Sequence, residues 1–215
     1  MSLSWILEEL QSPVAARKST RGGGTARPLD PLPVLRLRCT FNGHPYPTHA
    51  VSTFSMRNLC LTVDLFRLPP SDYADPRPGW TYYERQGSSM VLRNTTHPSF
   101  PIEEHAVGNH LLPTASSESY LLHGIRVSEA HKRQSNGDVI FVFPTLGVLE
   151  AGNWLLRYRV HDDRFDGMYI AQCFGSRFSV FSYDRFPGLE PATPLTCELA
   201  AQNIPGVRAR QNRYL

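Results

Sequence analysis

An all-β chain, built mainly as an antiparallel β-sandwich, is what this sequence predicts, and three observations predict it. Val34–Cys39 and Leu59–Phe66 alternate apolar and polar side chains with the two-residue period of strands. The C-terminal half carries four further apolar segments divided by turn-forming clusters. Helix-start signals stand out at one place, near the end of the chain. A length of 215 residues with 41% apolar content suffices for one substantial core. One domain is therefore expected: residues 1–26 form a flexible basic N-terminal arm, 27–215 the domain, and about 67–119 an irregular insertion within it.

Taken in order, Gln11 to Pro33 is poor in large apolar residues and rich in Gly, Pro, Ser, Thr and Arg, as loops are. In the first strand Leu35, Leu37 and Cys39 share one face and Arg36 and Arg38 the other. In the second, Leu59, Leu61, Val63 and Leu65 alternate with Cys60, Thr62, Asp64 and Phe66. Prolines at 69, 70, 76, 78, 98, 101 and 113 disfavour long regular elements in the insertion, although Trp80–Tyr83 and Met90–Leu92 suit short edge strands. Further strands are expected at Tyr120–Val127, Val139–Phe143, Trp154–His161 and Arg177–Tyr183. Trp154, Leu156, Tyr158 and Val160 should fill the core, with Arg157 and Arg159 facing outward. Thr193 can cap a short helix with Pro194 in its first turn, and Asn203–Gly206 should end it. Val207–Tyr214 reads as a last strand or a basic tail.

Bulk chemistry narrows the function. A formal charge of +3 is a weak overall bias toward polyanions, so distribution decides. Arg17, Lys18, Arg21 and Arg27 concentrate in a stretch whose one acid is Asp30, around the run Gly22–Gly24. Such a cluster can neutralise several phosphates, and arginine can also read guanine edges; the plainer reading is a solvated arm. Arg36 and Arg38 extend the basic surface or serve solubility alone. The cysteines, at 39, 60, 173 and 197, are too scattered for a zinc ribbon or redox motif and are expected reduced. His44 with His49, and His105 with His110, lie in proline-rich loops without nearby cysteines, so no metal or other cofactor is expected. Neither a nucleophile elbow nor a phosphate-binding glycine loop is present, and no enzymatic activity is expected. No apolar run approaches a membrane span, and the N-terminus lacks the form of a signal peptide, so an intracellular protein is expected.

Three sets of residues resemble one known family. The stretch Arg177-Phe-Ser-Val-Phe-Ser-Tyr-Asp-Arg-Phe-Pro-Gly-Leu189, followed by Thr193-Pro-Leu-Thr196 and Val207-Arg-Ala-Arg210, resembles the closing signature of the velvet domain. Phe141-Val-Phe-Pro-Thr-Leu-Gly-Val148 and Gly152-Asn-Trp-Leu-Leu-Arg-Tyr158 resemble the two strands that precede it, and Arg27-Pro-Leu-Asp-Pro-Leu-Pro-Val-Leu-Arg-Leu37 resembles the opening motif. The likeness covers about Arg17 to Arg213, with the insertion unmatched. It implies an immunoglobulin-like sandwich akin to the DNA-binding domain of Rel and NF-κB proteins. It also implies a nuclear fungal regulator, with shuttling from the cytoplasm open, that controls development, sporulation and secondary metabolism. Implied partners are double-stranded DNA and a second velvet subunit, either a copy of the chain or a relative. The alternative is an interaction module that leaves DNA to its partner; Phe186 and Leu189 are the candidate partner contacts. By the resemblance, DNA contacts come from the basic loop before the prolines, here Arg17, Lys18, Arg21 and Arg27, with Arg36 beside them. Gly22–Ala26 departs from the family, which has alternating charges there, and implies weaker binding because ordering glycine-rich chain costs roughly 1–2 kcal/mol per residue.

Overall fold

A computed structural model describes residues 3–20, 27–41, 44–45, 56–68, 82–86, 89–93, 104–107, 110–113, 117–165 and 169–210. Two sheets carry the fold. The first runs β1 (Leu3–Gln11), β3 (Val34–Phe41), β13 (Val139–Val142), β12 (His131–Lys132), all antiparallel, with β4 (His44–Pro45) folded back on β3. The second runs β11 (Val127–Glu129), β5 (Leu59–Leu68), β15 (Gly152–Asp162), β17 (Phe178–Phe181), β2 (Ala15–Arg17), and β16 (Tyr169–Phe174) also pairs with β15. Its one parallel pairing is β2 with β17.

The expected alternation is what closes these sheets on each other. Leu35, Leu37 and Cys39 of β3 face Leu61, Val63 and Leu65 of β5 and Trp154, Leu156, Tyr158 and Val160 of β15 in one buried cluster. The rings of Phe143 and Tyr158 meet across it, 6.0 Å between centroids. Each such side chain contributes roughly 1.5–3 kcal/mol by leaving water, so this shared core is the main source of stability. The chain crosses between sheets at Ala130, just after the Ser128 hydroxyl donates to the Val142 carbonyl and accepts from the Val142 N–H, both at 3.0 Å.

The outer face of the first sheet is covered at one end by α1 (Pro194–Ala201). Thr193 caps it, accepting from the Thr196 N–H at 3.1 Å, and Pro194 occupies the first turn as expected. Leu199, with Ile204 and Val207, buries Val34, Ile140 and Val142. The chain leaves the helix through Asn203, at φ 59°, and residues 207–210 form no strand. Thus of the two readings of this segment the strand is excluded up to Arg210.

Several expectations need correction. Leu3–Gln11 and Ala15–Arg17 are strands where a flexible arm was expected. The strand pattern of β1 is obscured because Glu9 points into the sandwich, where its carboxylate accepts from the Tyr158 hydroxyl at 3.1 Å and the Ser176 N–H at 2.8 Å. Arg157 was expected outside, yet it is 2% exposed. Asp64 is its cross-strand partner and takes both Nε, at 3.1 Å, and Nη2, at 2.8 Å, while the guanidinium lies over Phe66. Alternation marks which face a residue takes but not what covers that face; here Phe66 and Leu155 are buried as well. Tyr120–Val127 is not one strand. A 3-10 turn at Ser119–Leu121 leads into β10 (Leu122–His123), which pairs with β14 (Gly147–Val148), and Gly124 then bends the chain at φ 95°. A Cβ there would lie 2.1 Å from the Thr145 carbonyl oxygen, so glycine alone allows the bend. The insertion contains short strands whose backbones pair in the order β7 (Ser89–Arg93), β6 (Tyr82–Gln86), β9 (His110–Pro113), β8 (Glu104–Val107).

Candidate nucleic-acid interface

The basic stretch is anchored at both ends by backbone hydrogen bonds. Strand β2 lies in parallel register on β17, with Ala16 opposite Val180 and Arg17 opposite Phe181. Ala16 is fully buried, so a small residue is required at that step. Beyond the strand, the Lys18 N–H donates to the Phe181 carbonyl at 2.9 Å and the Ser19 N–H to the Val148 carbonyl at 2.8 Å. The chain is thereby handed from the edge of the second sheet to β14. Arg27 returns to the same place: its N–H donates to the Ser19 hydroxyl at 3.0 Å. Gly147 makes this approach possible, since a Cβ there would lie 2.6 Å from the Arg27 carbonyl oxygen and 2.7 Å from the Ser19 hydroxyl. Arg17, Lys18 and Arg27 therefore stand at the two stems of one loop, and Arg21 lies outside the described residues.

Among the described residues, the nearest acid to these stems acts on them through space and not through an ion pair. Arg17, Lys18 and Arg27 make no ion pair among the described residues, and Lys18 and Arg27 are exposed. Arg17 instead lies over the Tyr183 ring, 4.8 Å from its centroid, a cation–π contact that steadies the guanidinium while keeping its charge. Tyr183 is 76% exposed, unusual for so large a ring, and belongs to a 3-10 turn, Tyr183–Arg185, that follows β17. Asp184 in the same turn is the local acid. The Ser182 hydroxyl and a backbone N–H, then Arg185 and Lys18, hold its carboxyl below the ordinary range.

Arg36 occupies a different setting. It projects from the outer face of the first sheet, where its guanidinium meets Glu8 at 2.9 Å and Asp138 at 3.1 Å. Partial burial works against its charge, but Asp138 and Glu8 together raise its pKa. Arg38 shares Glu8, at 2.5 Å. The structure therefore brings Arg17, Lys18 and Arg27 together and gives Arg36 two carboxylate partners of its own.

The two candidate partner contacts also separate. Phe186 is half-buried, its ring 6.4 Å from that of Phe181, whereas Leu189 is 56% exposed beyond Gly188. Sequence reasoning passed over three exposed apolar side chains close along the chain: Tyr120, Ile125 and Val127 are 67%, 59% and 50% exposed within eight residues. Their signal was present in the sequence but hidden by the reading of Tyr120–Val127 as one strand. Tyr183 was likewise visible inside the closing signature, but its pairing with Arg17 depends on the β2–β17 contact. The four cysteines are free thiols, and burial, with Glu9 and Glu8 nearby, pushes Cys173 up to about 12. His44 lies in β4, and His49 outside the described residues.

Comparison with known proteins finds likeness over nearly the whole chain. The family model described as velvet factor matches residues 5–213. The chain is 31% identical to a probable velvet family sexual development regulator of Laccaria bicolor, over 92% of this chain and 68% of the relative. It is 30% identical to one of Schizophyllum commune, over 92% of this chain and 69% of that protein. It is also 26% identical to a sexual development regulator of Mycosarcoma maydis, over 90% of this chain and 42% of the relative.

Proposed function

The chain belongs to the velvet family, and from that premise we propose that it is a developmental regulator that binds double-stranded DNA through the loop stems carrying Arg17, Lys18 and Arg27, with Arg21 between them. The named relatives are sexual development regulators, which supports a role in fungal development. In this reading it acts in the nucleus as a homodimer or with a velvet relative, and its output extends to sporulation and secondary metabolism. The observation that carries the DNA reading is the placement of three cations, none in an ion pair among the described residues, at one backbone-anchored edge next to an exposed tyrosine. Backbone anchoring lowers the ordering cost that a free arm would incur on binding. Arg36 contributes least, because phosphate would have to compete with Glu8 and Asp138.

The experiment is fluorescence anisotropy on a pool of duplex DNA, comparing the parent with a variant in which Arg17, Lys18, Arg21 and Arg27 are all alanine, each shown folded by circular dichroism. Parent binding that falls at least tenfold in the variant supports the proposal; equal binding, or none by the parent at low salt, contradicts it. A second reading, a module that binds a partner and leaves DNA to it, draws on the exposed Tyr120, Ile125 and Val127. The module reading requires two results together: no duplex binding by the parent alone in the anisotropy experiment, and weaker self-association, or association with a velvet relative, in sedimentation of a Tyr120→Ser, Ile125→Ser double variant.

A further inference from the structure

A cavity of about 470 Å3 opens between the segment after Arg27, the Pro144–Thr145 turn, the first turn of α1 and the chain after Gly206. Its volume falls within the ~300–1,000 Å3 usual for small-molecule sites. The walls are mainly apolar, formed by Pro28, Leu29, Pro31, Leu32, Pro144 and Ala192. Most of the polar groups around it are already committed. Asp30 holds Arg210 at 2.7 Å and accepts from the Glu190 N–H at 3.1 Å. The Thr193 and Thr196 hydroxyls are tied to each other and to the Gln11 amide, which also donates to the Leu32 carbonyl at 2.7 Å. Arg208 differs: it lines the cavity, is exposed and makes no ion pair among the described residues.

We propose that this cavity binds a small amphipathic monocarboxylate, with its apolar chain against the proline and leucine walls and its carboxylate on Arg208. A single uncommitted guanidinium matches one carboxylate, which it can hold by two parallel hydrogen bonds. A phosphate dianion would need further donors, and those nearby are occupied. Apolar walls select a hydrocarbon or aromatic body over a polar metabolite. The site stands without the nucleic-acid reading. Its wall is nevertheless the segment that joins Arg27 to β3, so an occupant would brace the base of that loop.

Isothermal titration of the full chain with decanoate, octanoate and 1-decanol, all below their micelle or solubility limits, tests the proposal. Expected are one saturable decanoate site, affinity rising roughly two- to fourfold per methylene from octanoate to decanoate, and at least a tenfold loss for decanoate alone in Arg208→Ala. Arg208 is exposed, so the variant should keep the parent's thermal midpoint. Ala192→Phe, which puts a ring on the cavity wall, should weaken both decanoate and decanol binding at least tenfold. Absence of saturable binding at 1 mM decanoate, full decanoate affinity in Arg208→Ala, or parent affinity for both ligands in Ala192→Phe would each overturn it.

Discussion

Asp64 shows how much one residue can organise in this sandwich. Its Oδ2 accepts from Arg157 and, at 2.9 Å, from Arg159, while Oδ1 accepts from the Ser119 hydroxyl at 3.3 Å. Arg157 is buried over Phe66, so removing Asp64 takes a carboxylate partner from a guanidinium that water does not reach. Breaking a buried pair from one side usually costs about 3–5 kcal/mol. Asp64→Ala is expected to lower stability by about 3 kcal/mol, the low end because Asp64 is itself partly exposed, as read by urea unfolding. Arg157→Met should cost clearly less, since it removes the charge along with its need for a partner. Equal losses in the two variants would mean that packing, rather than the lost ion pair, sets the penalty.

At the scale of elements, α1 depends on its start and on an ionic tether. Thr193→Ala removes the cap and a link to Gln11, and a loss of about 1 kcal/mol in chemical denaturation is expected. The tether is Glu198, which binds Arg133 at 2.5 Å and the Ser135 hydroxyl at 2.7 Å; these hydrogen bonds pull its carboxyl down to about 2. A carboxylate depressed in the folded state stabilises it above the ordinary pKa of 4.5 and loses that effect as pH falls toward 2. Glu198→Gln should therefore be less stable than the parent at pH 7, with the gap closing between about pH 4.5 and 2; a constant gap in pH-dependent thermal melts would remove charge as the cause. Helix α1, β3, β5 and β15 were legible in the sequence because capping and alternation are local signals. Strands β1 and β2 were not, because Glu9 occupies a core-facing position and Ala15–Arg17 is too short to show a period. The parallel partner of β2 lies more than 160 residues away, beyond the reach of any local pattern. Likewise the cations of the candidate site could be read from composition, while their convergence with Tyr183 required the fold.

Over the whole molecule, a net charge of +3 says little until the arginines are sorted by what they touch. Arg36, Arg67, Arg133, Arg157, Arg159, Arg164 and Arg210 all sit in ion pairs that hold strands, turns or the C-terminal chain in place. Arg17, Lys18 and Arg27 hold nothing comparable, and they share one end of the sandwich. On the proposed function, these three are the cations that meet a polyanion. The salt dependence of duplex affinity tests it most directly, measured between about 50 and 200 mM salt for the parent and the folded quadruple alanine variant. Each phosphate contact contributes a slope of about −0.9 in log K against log salt. If the stems contact phosphates, the parent falls steeply and the variant loses roughly 3 to 4 units of slope; identical slopes for the two proteins would contradict a DNA role for this loop.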